Sequence, residues 1–429
     1  MIIHKLVALA LLGTAPLLAA ACVPRRPAGA DLDRVAEEYV RLVLAVGRHD
    51  VNYVDAYYGP PEWKEAAGSG EPIAIEELTR SAAELLDQVR SAEPSDRRAF
   101  LEKQLVAVQA FLRRLAGEPM TLSQEALLLY DLDPPVHTVA EFEAARGRLE
   151  ELLPGPGDLA DRVQSFRARF VIPSDRLEDV LRACLDVTRR ATQEHVTLPE
   201  GETFRTALVQ DQPWSAYNWY EGDFASLIEV NTDLPIELTP HLGTIAHEGY
   251  PGHHTYNALL EDRLVRGRGW QEYAVYPLYS PQSLLAEGTA NAGMSVIMTE
   301  DQEWDLVQGD LARLAGLEGE DFETYREVLE AIRPLRYVRG EAARMLLDTG
   351  APEAEAVEFL RRFGLMSEDR ARKYLDFVRT YRSYVFNYTA GDDLVRDYIG
   401  AGSDRAERFF ALLQRPATPS GLLQEMAND

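Results

Sequence analysis

Apolar residues recur at three- and four-residue intervals along most of this chain, the spacing that lines one face of a helix. The pattern predicts helices over 31–47, 75–89, 96–115, 139–153, 158–170 and 174–195. The joints between them carry Gly59-Pro60-Pro61, Pro134-Pro135 and Pro154-Gly155-Pro156-Gly157, which do not continue a helix. From Thr203 to Ile236 the texture shifts to aromatic and β-branched residues, and the few strands are expected there. Within it, 224–236 reads as a strand leading to a turn, an edge that could pair with an extended peptide. Helical spacing returns over 238–250, 254–265, 283–299, 304–315, 321–345, 352–362, 367–386 and 404–413. The expected fold is mainly α: a helical array with a small β-sheet beside one helix of special composition.

The first 22 residues depart from this pattern. Lys5 is followed by an apolar run, Leu6 to Ala21, too short for a confident membrane span. The run ends LLAAAC, which resembles a bacterial lipobox with Cys22 as the lipid-bearing residue. The expected organisation is a lipoprotein signal over 1–22, a tether over 23–30, an N-terminal helical region over 31–200 and a catalytic region over 201–429. Such a chain would be exported and held at a bacterial membrane by its N-terminal lipid. The second cysteine, Cys184, lies in an amphipathic stretch and reads as a small buried hydrophobe. A formal charge of −26 argues against nucleic acid as a partner, because a phosphate backbone demands basic surface.

Chemistry concentrates in residues 247–254, HEGYPGHH. The chain has 8 histidines, and His241, His247, His253 and His254 fall within one short stretch. Neutral imidazole is the commonest side chain on catalytic zinc, and a neighbouring Glu that is not a ligand can take a proton from a metal-activated water. The usual HExxH spacing puts both histidines on one helix face. Here Pro251 stands where the second histidine belongs. In an unbroken helix His254 would sit roughly 10.5 Å along the axis from His247, too far for one ion. Pro251-Gly252 supplies a break, and a kink there could bring His253, or His254, to the ligand position. Downstream, 283–298 reads as a buried helix with a single acid, Glu287, whose unpaired burial would be costly unless it binds metal. Asn291 lies one turn on, placed to hydrogen-bond a ligand or a substrate, and Asn231 is the polar residue of interest on the preceding strand.

HEGYPGHH, the AEGTA segment around Glu287 and the strand before the helix resemble a large bacterial family of predicted zinc peptidases. That family carries an HExxPGHH signature followed by an (S/A)EGxA segment and is grouped with the gluzincins. The resemblance covers roughly 224–300. It implies a mostly helical fold, a zinc hydrolase site and peptide substrates. It also implies zinc ligation by His247, His253 and Glu287, with Glu248 as general base. The family's usual aromatic after EG is Thr289 here.

His254 is left as ligand, second-layer partner or substrate contact. An oxyanion donor is expected from the C-terminal tyrosines and arginines, with Tyr337 and Tyr388 as candidates. The aromatic run 214–220 lines either the substrate groove or the sheet core. A lipid-anchored binding or scaffold protein with a structural or inactive metal site is the competing class; an intact Glu248 speaks against it, since a structural site needs no base.

Overall fold

The computed structural model describes residues 31–212 and 214–428, so Cys22, the leader and the tether lie outside the described residues. The N-terminal helices are α1 (Leu32–Val46), α2 (Pro61–Gly68), α3 (Ile75–Ser91), α4 (Asp96–Leu115), α5 (Leu122–Tyr130), α6 (Val139–Leu152), α7 (Leu159–Arg167) and α8 (Leu177–Gln193). After the sheet come α9 (Leu238–Glu248), α10 (His253–Leu260), α11 (Pro281–Ile297), α12 (Glu300–Leu306) and α13 (Ala312–Ala315). The chain closes with α14 (Phe322–Ile332), α15 (Val338–Leu347), α16 (Glu353–Arg362), α17 (Glu368–Tyr381), α18 (Asn387–Ile399), α19 (Arg405–Leu412) and α20 (Pro419–Asn428). The fold is mainly helical, as the spacing predicts.

Local chemistry sets many of these boundaries. Thr121 and Gln124 form a reciprocal capping box at the start of α5, and Ser280 caps α11 just before Pro281. The single helix expected over 321–345 is broken by a 3-10 turn at Arg333–Tyr337, where Pro334 has no N–H to donate. The helix expected over 367–386 ends at Tyr381. Arg382 turns the chain with a positive φ, and the chain re-forms as α18.

Among the described residues five short strands accompany the helices: β1 (Val54–Tyr57), β2 (Thr203–Val209), β3 (Ala216–Gly222), β4 (Ala225–Asn231) and β5 (Val275–Pro277). The order in the larger sheet is β2-β4-β3. β2 runs parallel to β4 (Thr203 opposite Ala225) and β3 antiparallel to it (Ala216 opposite Val230). This corrects the expectation of an edge strand at 224–236. β4 is bonded on both sides and buries Ser226, Ile228 and Val230 on one face; the outer strands are β2 and β3, and β3 carries Tyr217 and Trp219. β1 and β5 form a separate antiparallel pair with a bulge between Val54 and Ala56.

The main hydrophobic core gathers α1, α3, α4, α5 and α8 with α9–α11 and α18–α20, so it draws on both sides of residue 200. A second core joins α6 and α7 to α14–α17. At the centre of the main core lies α11, which is buried continuously from Pro281 to Ala290. A helix apolar or small on every face is one enclosed by others. It packs on α18, α9, α10 and α19, and on α4, α5 and α8 from the N-terminal half. Its approach to α18 is backbone to backbone. A Cβ on Gly288 would stand 2.3 Å from the Gly391 carbonyl oxygen, and one on Gly391 would stand 2.6 Å from that of Leu284.

Candidate metal centre

The helix that begins at Leu238 stops at Glu248, and α10 starts at His253. Between them the chain doubles back. The Gly252 N–H donates to the Ala246 carbonyl at 3.0 Å, a bond across six residues. The fold needs a residue without a side chain there, because a Cβ on Gly252 would lie 1.8 Å from the His247 carbonyl oxygen. In a straight helix residues six apart are separated by roughly 9 Å of rise. Here the rings of His247 and His253 have centroids 4.6 Å apart, at 89° to each other.

Glu287 of α11 meets this pair. One ligand atom each from His247, His253 and Glu287 lie within 4.8 Å of one another. Glu287 Oε2 is 3.4 Å from His247 Nε2, and Oε1 is 3.7 Å from His253 Nε2. Two ligand atoms at about 2.0–2.1 Å from one tetrahedral ion stand roughly 3.3 Å apart. The observed gaps are therefore those of donors around a zinc-sized ion. Glu287 is 5% exposed, and its Oε2 makes no hydrogen bond. A buried carboxylate oxygen in that state is costly unless a cation answers it. The residues present fit zinc.

The supporting contacts orient the donors. Asn291 Oδ1 accepts from His247 Nδ1 at 3.0 Å, which turns the Nε2 lone pair inward. The amide's other end donates to the Tyr388 carbonyl at 3.2 Å, so its orientation is fixed too. The Tyr384 hydroxyl donates to Glu287 Oε1 at 2.9 Å. Burial alone would lower the proton affinity of His247, but Glu287 and Glu248 outweigh it and lift the group to about 9. Burial, followed by the charge of His247, takes His253 down to about 4. The acids thus call for positive charge between them.

Glu248 is 8% exposed and stands outside the ligand trio. Burial raises its carboxyl, His247 pulls it down, and Glu287 and Asp55 push it up again, to about 7. Its backbone carbonyl accepts from Asn218 Nδ2 at 2.6 Å, which ties the end of α9 to β3. His254 faces away from the trio. Its Nε2–H donates to Glu202 Oε1 at 2.9 Å and its Nδ1 accepts from the Ser226 hydroxyl at 2.8 Å. The order serine, histidine, carboxylate is that of a nucleophilic triad, but His254 and Ser226 are buried in the sheet packing, with no approach for a substrate.

The remaining predicted residues divide. Tyr388 stands edge-on to Tyr384 at 5.5 Å and is 42% exposed; it interacts electrostatically with both Glu287 and Glu248. The Tyr337 hydroxyl is not brought to the trio. It lies against Asp393 and Arg336, with its ring stacked on His137 at 3.8 Å. Asn231 holds the turn before β3, donating to the carbonyls of Gln212 and Trp214. The aromatic run is also split. Tyr220 is buried and donates to Glu261, whereas Tyr217 reaches Asp55 and Trp219 is 43% exposed. Asp55 and Asn218 are the neighbours of the site that sequence reasoning did not name, whereas Tyr217 lies within the aromatic run 214–220 read as groove or sheet core. Tyr384 carried a signal as part of the C-terminal tyrosine cluster; Asp55 carried none.

No family model matches the chain, and no curated protein matches it. A solved structure from Colwellia psychrerythraea, assigned as a lipoprotein, shares its fold. The TM-score is 0.52 at 14% identity, over 94% of this chain and 76% of that one. A protein from Shewanella oneidensis, assigned as a lipoprotein of unknown function, aligns at TM-score 0.46 and 14% identity, over 86% of this chain and 76% of that one. Trypanosoma cruzi metallocarboxypeptidase 1 aligns at TM-score 0.45 and 15% identity, over 93% of this chain and 95% of that one.

Proposed function

We propose that this chain is a zinc-dependent peptidase acting outside the cytoplasm. The observation that carries this is the trio His247, His253 and Glu287, two imidazoles and a carboxylate whose ligand atoms lie within 4.8 Å of one another, with Glu287 Oε2 buried and without a hydrogen bond. Zinc held there would polarise a scissile carbonyl and make water nucleophilic at neutral pH. The chain's own groups do the rest. Glu248, next to a ligand but outside the trio, accepts the attacking water's proton and returns it to the leaving amine. Tyr388 offers its hydroxyl to the carbonyl oxygen as negative charge grows there. Asn291 and Tyr384 hold His247 and Glu287 in their working orientations. The leader that ends at Cys22 supports export and lipid attachment.

The test is metal content alongside turnover. Purified protein should hold about one zinc per chain, largely lost in His247→Ala and Glu287→Ala. Glu248→Gln keeps size and hydrogen bonding but cannot accept the proton. It should fold, keep its zinc and lose peptide hydrolysis by about two orders of magnitude or more. Cleavage by Glu248→Gln at the wild-type rate, or full zinc in both ligand variants, would sink the proposal.

A further inference from the structure

Acids elsewhere in the interior of this protein are paired with cations. Glu125 meets Arg382, Glu202 meets Arg189, Glu261 meets Arg266, Glu272 meets Arg97 and Asp392 meets Arg336. The acids of the metal cleft break this rule. Among the described residues no Lys or Arg forms a hydrogen bond or ion pair with Glu248, Glu287 or Asp55. Glu287 is met by His247, His253 and Tyr384, and Asp55 by Tyr217. Zinc would answer Glu287, and Glu248 is left free to act as a base. Asp55 remains unexplained.

Asp55 is placed there by a defect in its strand. It is the extra residue of the bulge in β1, between Val54, opposite Pro277, and Ala56, opposite Tyr276. A bulge re-aims one side chain out of the alternation of its strand. Here the Asp55 carboxylate turns to the Tyr217 hydroxyl of β3, which donates to it. The partner strand of the bulge, β5, leads directly into α11 and so to Glu287. Asn218, the residue after Tyr217 on β3, donates to the Glu248 carbonyl, and Asp55 interacts electrostatically with Glu287 and Glu248, so β3 brings the three carboxylates near one another. With all three ionised, a divalent ion balances two of them and leaves one negative charge in excess. Around the cleft stand Tyr217, packed on Trp219 at 4.5 Å, and the half-exposed Tyr388. Aromatic faces attract cations and offer nothing to an anion.

We propose, building on the peptidase assignment, that Asp55 with its Tyr217 partner binds a primary ammonium group of the substrate next to the bond to be cleaved. A substrate carboxylate in the same place would meet like charge, and among the described residues no Lys or Arg is bonded to these acids. The ammonium has two possible sources, the α-amine of a peptide N-terminus and a lysine side chain.

The test uses hydroxamates, which bind zinc without being turned over, measured by calorimetry on the zinc-loaded full chain. Leucine hydroxamate and N-acetyl-leucine hydroxamate differ in the free α-amine. N-acetyl-lysine hydroxamate and N-acetyl-norleucine hydroxamate differ in the side-chain amine. One amine-bearing probe should bind at least about tenfold tighter than its neutral counterpart, and which pair shows this identifies the source. Asp55→Asn should abolish the preference while leaving zinc content and the affinity of the neutral probes unchanged. Equal affinities within both pairs on wild-type protein, or a preference that survives in Asp55→Asn, would overturn the ammonium assignment alone. If no hydroxamate binds at all, the zinc-site reading falls and this one with it. Should Asp55→Asn fail to fold, the wild-type comparison still decides.

Discussion

His253 and His254 are adjacent in sequence and opposite in circumstance. His253 turns toward Glu287, while His254 is closed off by Ser226 and Glu202. Glu202 is the centre of a small polar network that ties β2 to α8 and to the HEGYPGHH turn, receiving His254, Arg189 and the Tyr250 hydroxyl. Burial alone would raise its carboxyl, but these donors outweigh it and bring it down to about 2. The folded chain therefore holds this proton less tightly than an unfolded one, where a glutamate titrates near about 4.3. The resulting stability is present above the unfolded value and is lost as pH falls from about 5 towards 2. Glu202→Gln should be less stable than wild type at pH 7 and should show a shallower loss over that acid range. Urea unfolding at several pH values measures both, and an unchanged slope would remove Glu202 from the account. This network also explains why the sequence leaves His253 and His254 undecided. The partners that occupy His254 lie 28 and 52 residues upstream, outside any local pattern. The cluster of donors is legible in eight residues; the choice between neighbours is a tertiary matter.

At the scale of elements, the decisive piece is the break between α9 and α10. Pro251-Gly252 announces a break in the sequence, but its direction is set by a close approach, Gly252 against the His247 carbonyl. Gly252→Ala cannot keep that approach, so the start of α10 must move and His253 with it. Zinc affinity should fall at least about tenfold, in the range seen when a ligand loses its support. The helices themselves should persist. Competition with a chelating dye and far-UV circular dichroism separate the two effects, and wild-type affinity in Gly252→Ala would show that the turn has slack. The longer amphipathic helices are legible because period and length reinforce each other. β1 and β5 are not, being four and three residues long, too short for alternation to stand out. Asp55 is hidden for the same reason. It reaches the site through a bulge in a strand that no period marks, some two hundred residues ahead of HEGYPGHH.

For the molecule as a whole, the mainly helical class was legible from spacing, whereas the way the halves interlock was not. The core that surrounds α11 takes α4, α5 and α8 from the N-terminal part, and nothing in their amphipathic faces names α11 as the partner. Among the described residues no helix is long and apolar enough to cross a membrane. On the proposed lipid attachment at Cys22, Cys22→Ser should lose lipid label and leave the membrane fraction. Wild-type protein that carries no lipid and fractionates as the variant does would rule the anchor out. The glycine contact between α11 and α18 bears on how the cleft can move. With Gly288 and Gly391 touching backbone to backbone, neither helix can slide along the other without collision. Glu287 on one and Tyr388 on the other are thus held in register, and the hydrogen bond from Tyr384 to Glu287 adds to the tie. The freedom left on this wall is that of an exposed ring, and that ring is Tyr388, 42% exposed.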